Sequence, residues 1–273
     1  MRPLRLVLPA GVVASLLLAG ATDAGAETAG TGAGSVRAGG PVPTGTAALT
    51  RNPIYLGGRL AVPCAHRPDG SGVAAAKKHL TAVLSCLNAS WSRQLERAGL
   101  PFAEPKVRFM TRPARACGSA WGKNVTGRYC TGERRLVLLI GDHALSDPAD
   151  PVTLHLIAHE YAHHVQNLAG IWDAYRGMPA HGRAQMLAQS RRLELQADCL
   201  AGAFMGSVWN SQKYRDADWK EVVDLIRRSG DGSATTERSH GTGRNRVAWL
   251  RRGFGSASPA VCNTWTATAS AVA

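Results

Sequence analysis

Beyond its first two dozen residues the 273-residue chain has no long apolar run, which excludes a polytopic membrane protein. Lysine is scarce: six of the 32 cationic side chains are Lys and the other 26 are Arg. Acids number 19 against those 32 cations, so the formal charge is +13. That imbalance suits acidic surroundings such as an anionic cell envelope, an acidic substrate or nucleic acid, or it is simply a solubilising surface. No aromatics interleave with the Arg-Arg pairs (Arg134-Arg135, Arg191-Arg192, Arg227-Arg228, Arg251-Arg252), so no nucleic-acid partner is expected. No Cys-x-x-Cys occurs, which removes a cysteine zinc site, and no internal repeat is present. What the chain does have is 45% apolar residues, enough for a sizeable core and too many for bulk disorder.

The N-terminus reads as an export signal. Arg2 and Arg5 precede an apolar stretch from Leu6 to Ala21, and Ala24-Gly25-Ala26 is a small-x-small cleavage pattern. Residues 1–26 are therefore expected to be a cleaved secretory signal peptide, with an uncleaved signal anchor as the alternative. No cysteine near Ala26 offers a lipid anchor. Residues 27–50 hold six Gly, five Thr and two Pro without an aromatic, so they read as a flexible tether ahead of one domain at 51–273. Six cysteines in an exported chain imply three disulfides. About 15 pairings are open to them. The sequential set, Cys64–Cys86, Cys117–Cys130 and Cys199–Cys262, closes the shortest loops and is the expected one.

Periodicity supplies a coarse map. Val73, Leu80, Val83, Leu84, Leu87 and Trp91 recur at helical spacing within 72–98. Residues 106–110 (KVRFM) alternate like a strand, and 135–140 (RLVLLI) read as a more buried one. Asp150 and Pro151 form a helix start, and Gly170 a stop. Further helices are expected over 183–205, 219–228 and 244–252. The fold class is α+β, mostly helical, with a small sheet.

The helix after Pro151 carries His159-Glu160-Tyr161-Ala162-His163, a His-Glu-x-x-His motif. Histidines four residues apart on a helix sit about 40° apart around its axis, so both imidazoles can reach one ion. Glu160, beside the first of them, is positioned as general base toward a water that the ion activates. With nine His and eight Glu in the chain, chance gives only about 0.01 such matches. A catalytic zinc site usually needs a third protein ligand, and position 169, six residues beyond His163, is Ala. On the next long helix, Glu194 and Asp198 lie one turn apart, with 30 residues between His163 and Glu194. That arrangement suits a ligand, Glu194, with Asp198 behind it accepting the free N–H of a ligand histidine. His155, His181 and Cys199 are the other nearby candidates. His155 reads better as a neighbour packing or hydrogen-bonding near the site, and Cys199 as a disulfide partner.

HEYAHHVQ (159–166) followed by ELQADCLAG (194–202) resembles the neutral zinc metallopeptidases of bacteria, a gluzincin-like family. The likeness extends to NPIYLGGRL (52–60), CLNASW (86–91), ACGSA (116–120), RYC (128–130), HGTGRNRVAWLRRGF (240–254) and CNTW (262–265). The resemblance implies a zincin-like fold, one zinc ion held by His159, His163 and Glu194, and Glu160 as catalytic base. Departures are Ala162 where members often carry Gly, RYCTG in place of a proline-bearing FYCP, and HGTGRNR in place of HG-S/T-S-x-QR. His240 is a candidate donor to the oxyanion of a tetrahedral intermediate, although nothing in the sequence fixes its position. His164, turned about 100° from the ligand face, reads as partly exposed.

The expected activity is that of a secreted zinc peptidase acting on peptides or proteins, with the 135–140 strand offering its edge to an extended substrate. The rival is a zinc-stabilised, non-catalytic basic protein that binds anionic cell-wall polymers. The presence of Glu160 favours the enzyme. A deformylase-type hydrolase is disfavoured, since its third ligand is a cysteine.

Overall fold

The helix beginning at Pro151 is built as its sequence suggests. The Asp150 carboxylate accepts from the Val152 N–H at 2.8 Å, Pro151 fills the first turn, and the chain turns left-handed at Gly170 (φ 76°). A computed structural model describes residues 40–65, 70–122, 125–232 and 238–273, apart from the His143 side chain. The expected signal peptide lies outside the described residues.

In chain order the elements are α1 (Gly45–Thr50), α2 (Gly72–Arg97), β1 (Lys106–Met110), β2 (Gly127–Cys130), β3 (Arg135–Leu139), α3 (Asp142–Ser146), α4 (Pro151–Leu168), α5 (Ile171–Arg176), α6 (Arg183–Val208), α7 (Asp216–Arg228) and α8 (Gly243–Ser256). The architecture is mostly helical with one small sheet, an α+β zincin-like domain. No helix among the described residues is long and apolar enough to cross a membrane. Trp91 and Leu87 of α2, Ile157, Tyr161 and Val165 of α4, Phe204 of α6, Leu250 of α8 and Leu136 of β3 share one buried core. The disulfides are Cys64–Cys86, Cys117–Cys130 and Cys199–Cys262, the sequential set.

Two expectations are corrected here. The stretch read as a tether through residue 50 is packed at its end: α1 begins at Gly45, with Ala48 and Leu49 buried in the core. One turn carrying Ala-Ala-Leu is enough to dock, although the surrounding composition is that of a linker. The strand at 135–140 does not offer an edge. The sheet order is β1-β3-β2, with β3 parallel to β1 and antiparallel to β2, so β3 is the central strand. β2, which periodicity missed because it is only four residues long, is an edge.

α6 and α8 pack backbone to backbone. A Cβ on Gly253 would lie 1.9 Å from the Cys199 carbonyl oxygen, and one on Gly202 2.2 Å from that of Leu250. Gly253→Ala should therefore force the helices apart and cost at least about 2–3 kcal/mol, read as a lowered denaturant midpoint. Gly255, with nothing within 4 Å of its would-be Cβ, is the control. Ala there should be neutral or stabilising by up to about 1 kcal/mol.

Candidate metal centre

α4 presents His155, His159 and His163 along one face, all buried. Packing of α6 against α4 brings Glu194 to the last two. Glu194 Oε2 lies 3.2 Å from His159 Nε2 and 3.4 Å from His163 Nε2. Among the described residues two groups of ligand-type atoms gather within 4.8 Å: His159/His163/Glu194 and His155/His159/Asp198. The two are not equivalent. Asp198 accepts from the Arg246 guanidinium through Nε at 2.8 Å and Nη2 at 3.1 Å. A cation already seated on that carboxylate opposes a second one beside it. The first group is the better cation site.

Each histidine of that group has its other nitrogen tied. His159 Nδ1 meets Asp198 Oδ1 at 3.0 Å, and His163 Nδ1 meets Gln166 Oε1 at 2.8 Å. Both Nε2 atoms are thereby directed toward Glu194. Gln166 is itself held, donating to the Leu193 carbonyl at 2.8 Å and to Gln196 Oε1 at 3.0 Å. Gln196 in turn donates to the Tyr55 hydroxyl at 2.7 Å. His155 stands behind, its Nε2 3.5 Å from Asp198 Oδ1, as a neighbour of the site.

The local field is that of a cation site. Burial alone would raise the Glu194 carboxyl, but the His163 charge and hydrogen bonds from His159 and His163 hold it well below the usual range. Asp198 is likewise opposed by burial and held well below its usual value by Arg246, His155 and His159. Burial would lower His159, yet Asp198 and Glu194 outweigh it and push the imidazole up to about 10. A buried and a partly buried carboxylate thus draw positive charge onto this point, whether proton or metal.

Glu160, half-buried, extends toward the start of β2, where a Cβ on Gly127 would lie 2.7 Å from its Cγ. Only glycine leaves room there for the carboxylate, which also puts the β2 edge beside it. His240 is fixed after all. The Asp231 carboxylate accepts from the backbone N–H of His240 at 3.1 Å and of Gly241 at 2.7 Å. His240 Nε2 then stands 3.6 Å from Glu194 Oε2, with nearly half of its side chain (47%) exposed. Of the other candidates, His181 is exposed and Cys199 is bonded to Cys262. Neither belongs to a ligand group.

His164 corrects a further expectation. It is fully buried, with Nδ1 2.9 Å from the Tyr129 hydroxyl and Nε2 2.7 Å from the Ala103 carbonyl. Burial lowers its pKa to about 4. The face turned about 100° from the ligands packs on the sheet, so His164 is not left to solvent. Sequence reasoning also missed Arg246, Gln166 and Asp231. Arg246 carried a signal: it interrupts the apolar positions Val247, Trp249 and Leu250 of α8, where a cation needs a buried partner.

A helix-borne His-Glu-x-x-His pair is thus met by a glutamate from the next long helix, beside the edge of a small sheet, in a domain of zincin-like fold. The chain belongs to the family described as "Putative neutral zinc metallopeptidase", whose model matches residues 68–265. It is similar to the uncharacterized protein YpfJ of Escherichia coli K12, 30% identical over 209 residues, 70% of this chain and 71% of that one. It is also similar to the uncharacterized protein Rv2575 of Mycobacterium tuberculosis, 32% identical over 137 residues, 41% of this chain and 44% of the relative. No solved structure matches the chain significantly.

Proposed function

We propose that the chain is an exported zinc peptidase that hydrolyses peptide bonds with Glu160 as general base. The observation that carries this reading is the convergence of His159 Nε2, His163 Nε2 and Glu194 within 4.8 Å, with Glu160 near enough to act electrostatically on His163 yet outside the ligand group. The residues fit zinc on their own chemistry: two imidazole nitrogens and one carboxylate are a known catalytic donor set, and both spare nitrogens are tied to Asp198 and Gln166. Zinc bound there supplies Lewis acidity that polarises a carbonyl and acidifies water.

The chain's own residues supply the rest. Glu160 takes the proton of the attacking water and passes it to the leaving amine. His240, on the open side of the site, donates toward the oxygen on which negative charge develops. The β2 edge at Gly127 pairs with an extended peptide and lays its scissile bond across Glu160. Export is supported by three disulfides, which persist in oxidising compartments. The non-catalytic alternative is disfavoured, because Glu160 has been given room by a glycine that a merely structural zinc site does not require.

Metal exchange tests the reading. Protein stripped with a chelator and dialysed should cut no member of a peptide library, and zinc should restore cleavage at internal peptide bonds, read by mass spectrometry as fragments that together gain one water. Undiminished cleavage by metal-free protein, or no cleavage of any peptide by the zinc-loaded form, would overturn it.

A further inference from the structure

The outer face of the sheet is strongly cationic. Residues 106–135 contain eight Lys/Arg and one acid, a net +7 of the chain's +13 in 30 residues. The strand register gathers much of that charge on one face. Tyr129, Leu136 and Leu138 turn inward to the core, while Val137, Met110 and Cys130 turn outward. On the outward face Lys106 is opposite Arg135, and Arg108 and Arg128 flank Val137 from its two sides. Arg108, Arg115 and Arg135 then line a cleft of about 380 Å³ whose one acid is Glu133.

Like charges directly opposite in a sheet are destabilising, so Lys106 beside Arg135 costs stability in the free chain. The guanidinium groups are also held in place rather than left to separate. Arg108 Nη1 donates to the Arg115 carbonyl at 3.2 Å, and Arg115 Nη2 to the Gly118 carbonyl at 2.8 Å. Arg128 donates to Ser119 Oγ at 2.7 Å and lies over the Trp121 ring, 5.2 Å from its centroid. Glu133 is engaged by Arg135 at 2.8 Å, which leaves the other cations of the cleft without a carboxylate partner among the lining residues.

We propose that this face is a docking site for a linear phosphodiester polymer without bases. Guanidinium forks match phosphate oxygens in two-point geometry. The cations stand in rows on strands about 4.8 Å apart, so they meet successive charges of a chain better than one isolated anion. Bases have no place to stack, because the face's one ring, Trp121, already carries Arg128. The surface lies on the opposite side of the sheet from α4, so a bound polymer holds the protein while leaving the metal centre open.

The full chain should bind immobilised poly(glycerol phosphate), with an affinity that falls steeply with added salt. The triple variant Arg108→Glu, Arg115→Glu, Arg135→Glu should lose about tenfold or more of that affinity, while its cleavage of an uncharged peptide stays at the wild-type rate. The Gln triple at the same positions covers a charge-reversed protein that fails to fold and should lose affinity in the same direction. A control triple, Arg183→Glu, Arg228→Glu, Arg251→Glu, makes the same charge change elsewhere and should bind nearly as wild type. An equal loss in the control would mean diffuse attraction by net charge and overturn the site. Polyglutamate or single-stranded DNA competing as well as the polymer would overturn the phosphodiester class, and no binding at low ionic strength would overturn the proposal. None of the binding outcomes depends on whether the metal centre hydrolyses peptides; the cleavage rate only checks that the variant is folded.

Discussion

Glu160→Gln should keep wild-type zinc content and lose peptide hydrolysis by roughly 10²–10⁴-fold, the usual contribution of a positioned proton-transfer group. The substitution preserves shape, and the glutamine fits the space above Gly127 that the carboxylate uses. Its amide cannot accept a proton from water. Zinc is retained because Glu160 belongs to neither group of converging ligand atoms. Metal analysis after dialysis and initial rates on one peptide measure both halves. A variant that digests the peptide as fast as wild type would remove Glu160 from the mechanism. Loss of zinc together with activity would instead make Glu160 part of the metal's support.

The second large effect separates the ligand from its supporters. Glu194→Ala should largely abolish zinc binding, since it removes the oxygen that both His159 and His163 face at 3.2 and 3.4 Å. Asp198→Asn should weaken zinc by about 10–100-fold, because His159 then loses the anionic acceptor that orients its Nδ1. Arg246→Gln should move affinity the same way by less, acting only through Asp198. Retention of zinc is measured against a graded chelator series, with helix content checked by circular dichroism. Should Glu194→Ala keep wild-type zinc while His155→Ala or His181→Ala loses it, the third ligand is elsewhere.

How far the sequence carries depends on the distance between the residues involved. His159 and His163 are four residues apart on one helix, so their shared face follows from helical geometry before any packing is known. The cap at Asp150, the stop at Gly170 and the strands at KVRFM and RLVLL are local in the same sense, and the structure has them where the sequence puts them. Local signals fail where the element is short or its context misleading. The single turn at Gly45–Thr50 hides in linker composition, and β2 has too few residues for alternation to register. The burial of His164 was illegible because a helix with polar residues on two faces looks half-solvated until the sheet is laid against it.

By itself, then, the chain determined the two imidazoles, the adjacent glutamate, the helix that bears them and the carboxylate pair one turn apart on α6. Tertiary structure alone decided how those parts are used. The touching backbones of α6 and α8 at Gly202 and Gly253 bring Arg246 onto Asp198, which commits that carboxylate to orienting His159 and leaves Glu194 to face the histidine pair. Asp231 fixes the nearby His240 segment, and packing of that segment on α6 sets His240 beside Glu194, more than forty residues earlier in the chain. The order β1-β3-β2 puts an edge strand, β2, beside Glu160 and turns the arginines of three segments onto the other face of the sheet. The physical reason is common to all three. Hydrogen bonds and charges act over a few ångströms, and for residues far apart in sequence only the packing of the elements sets that distance.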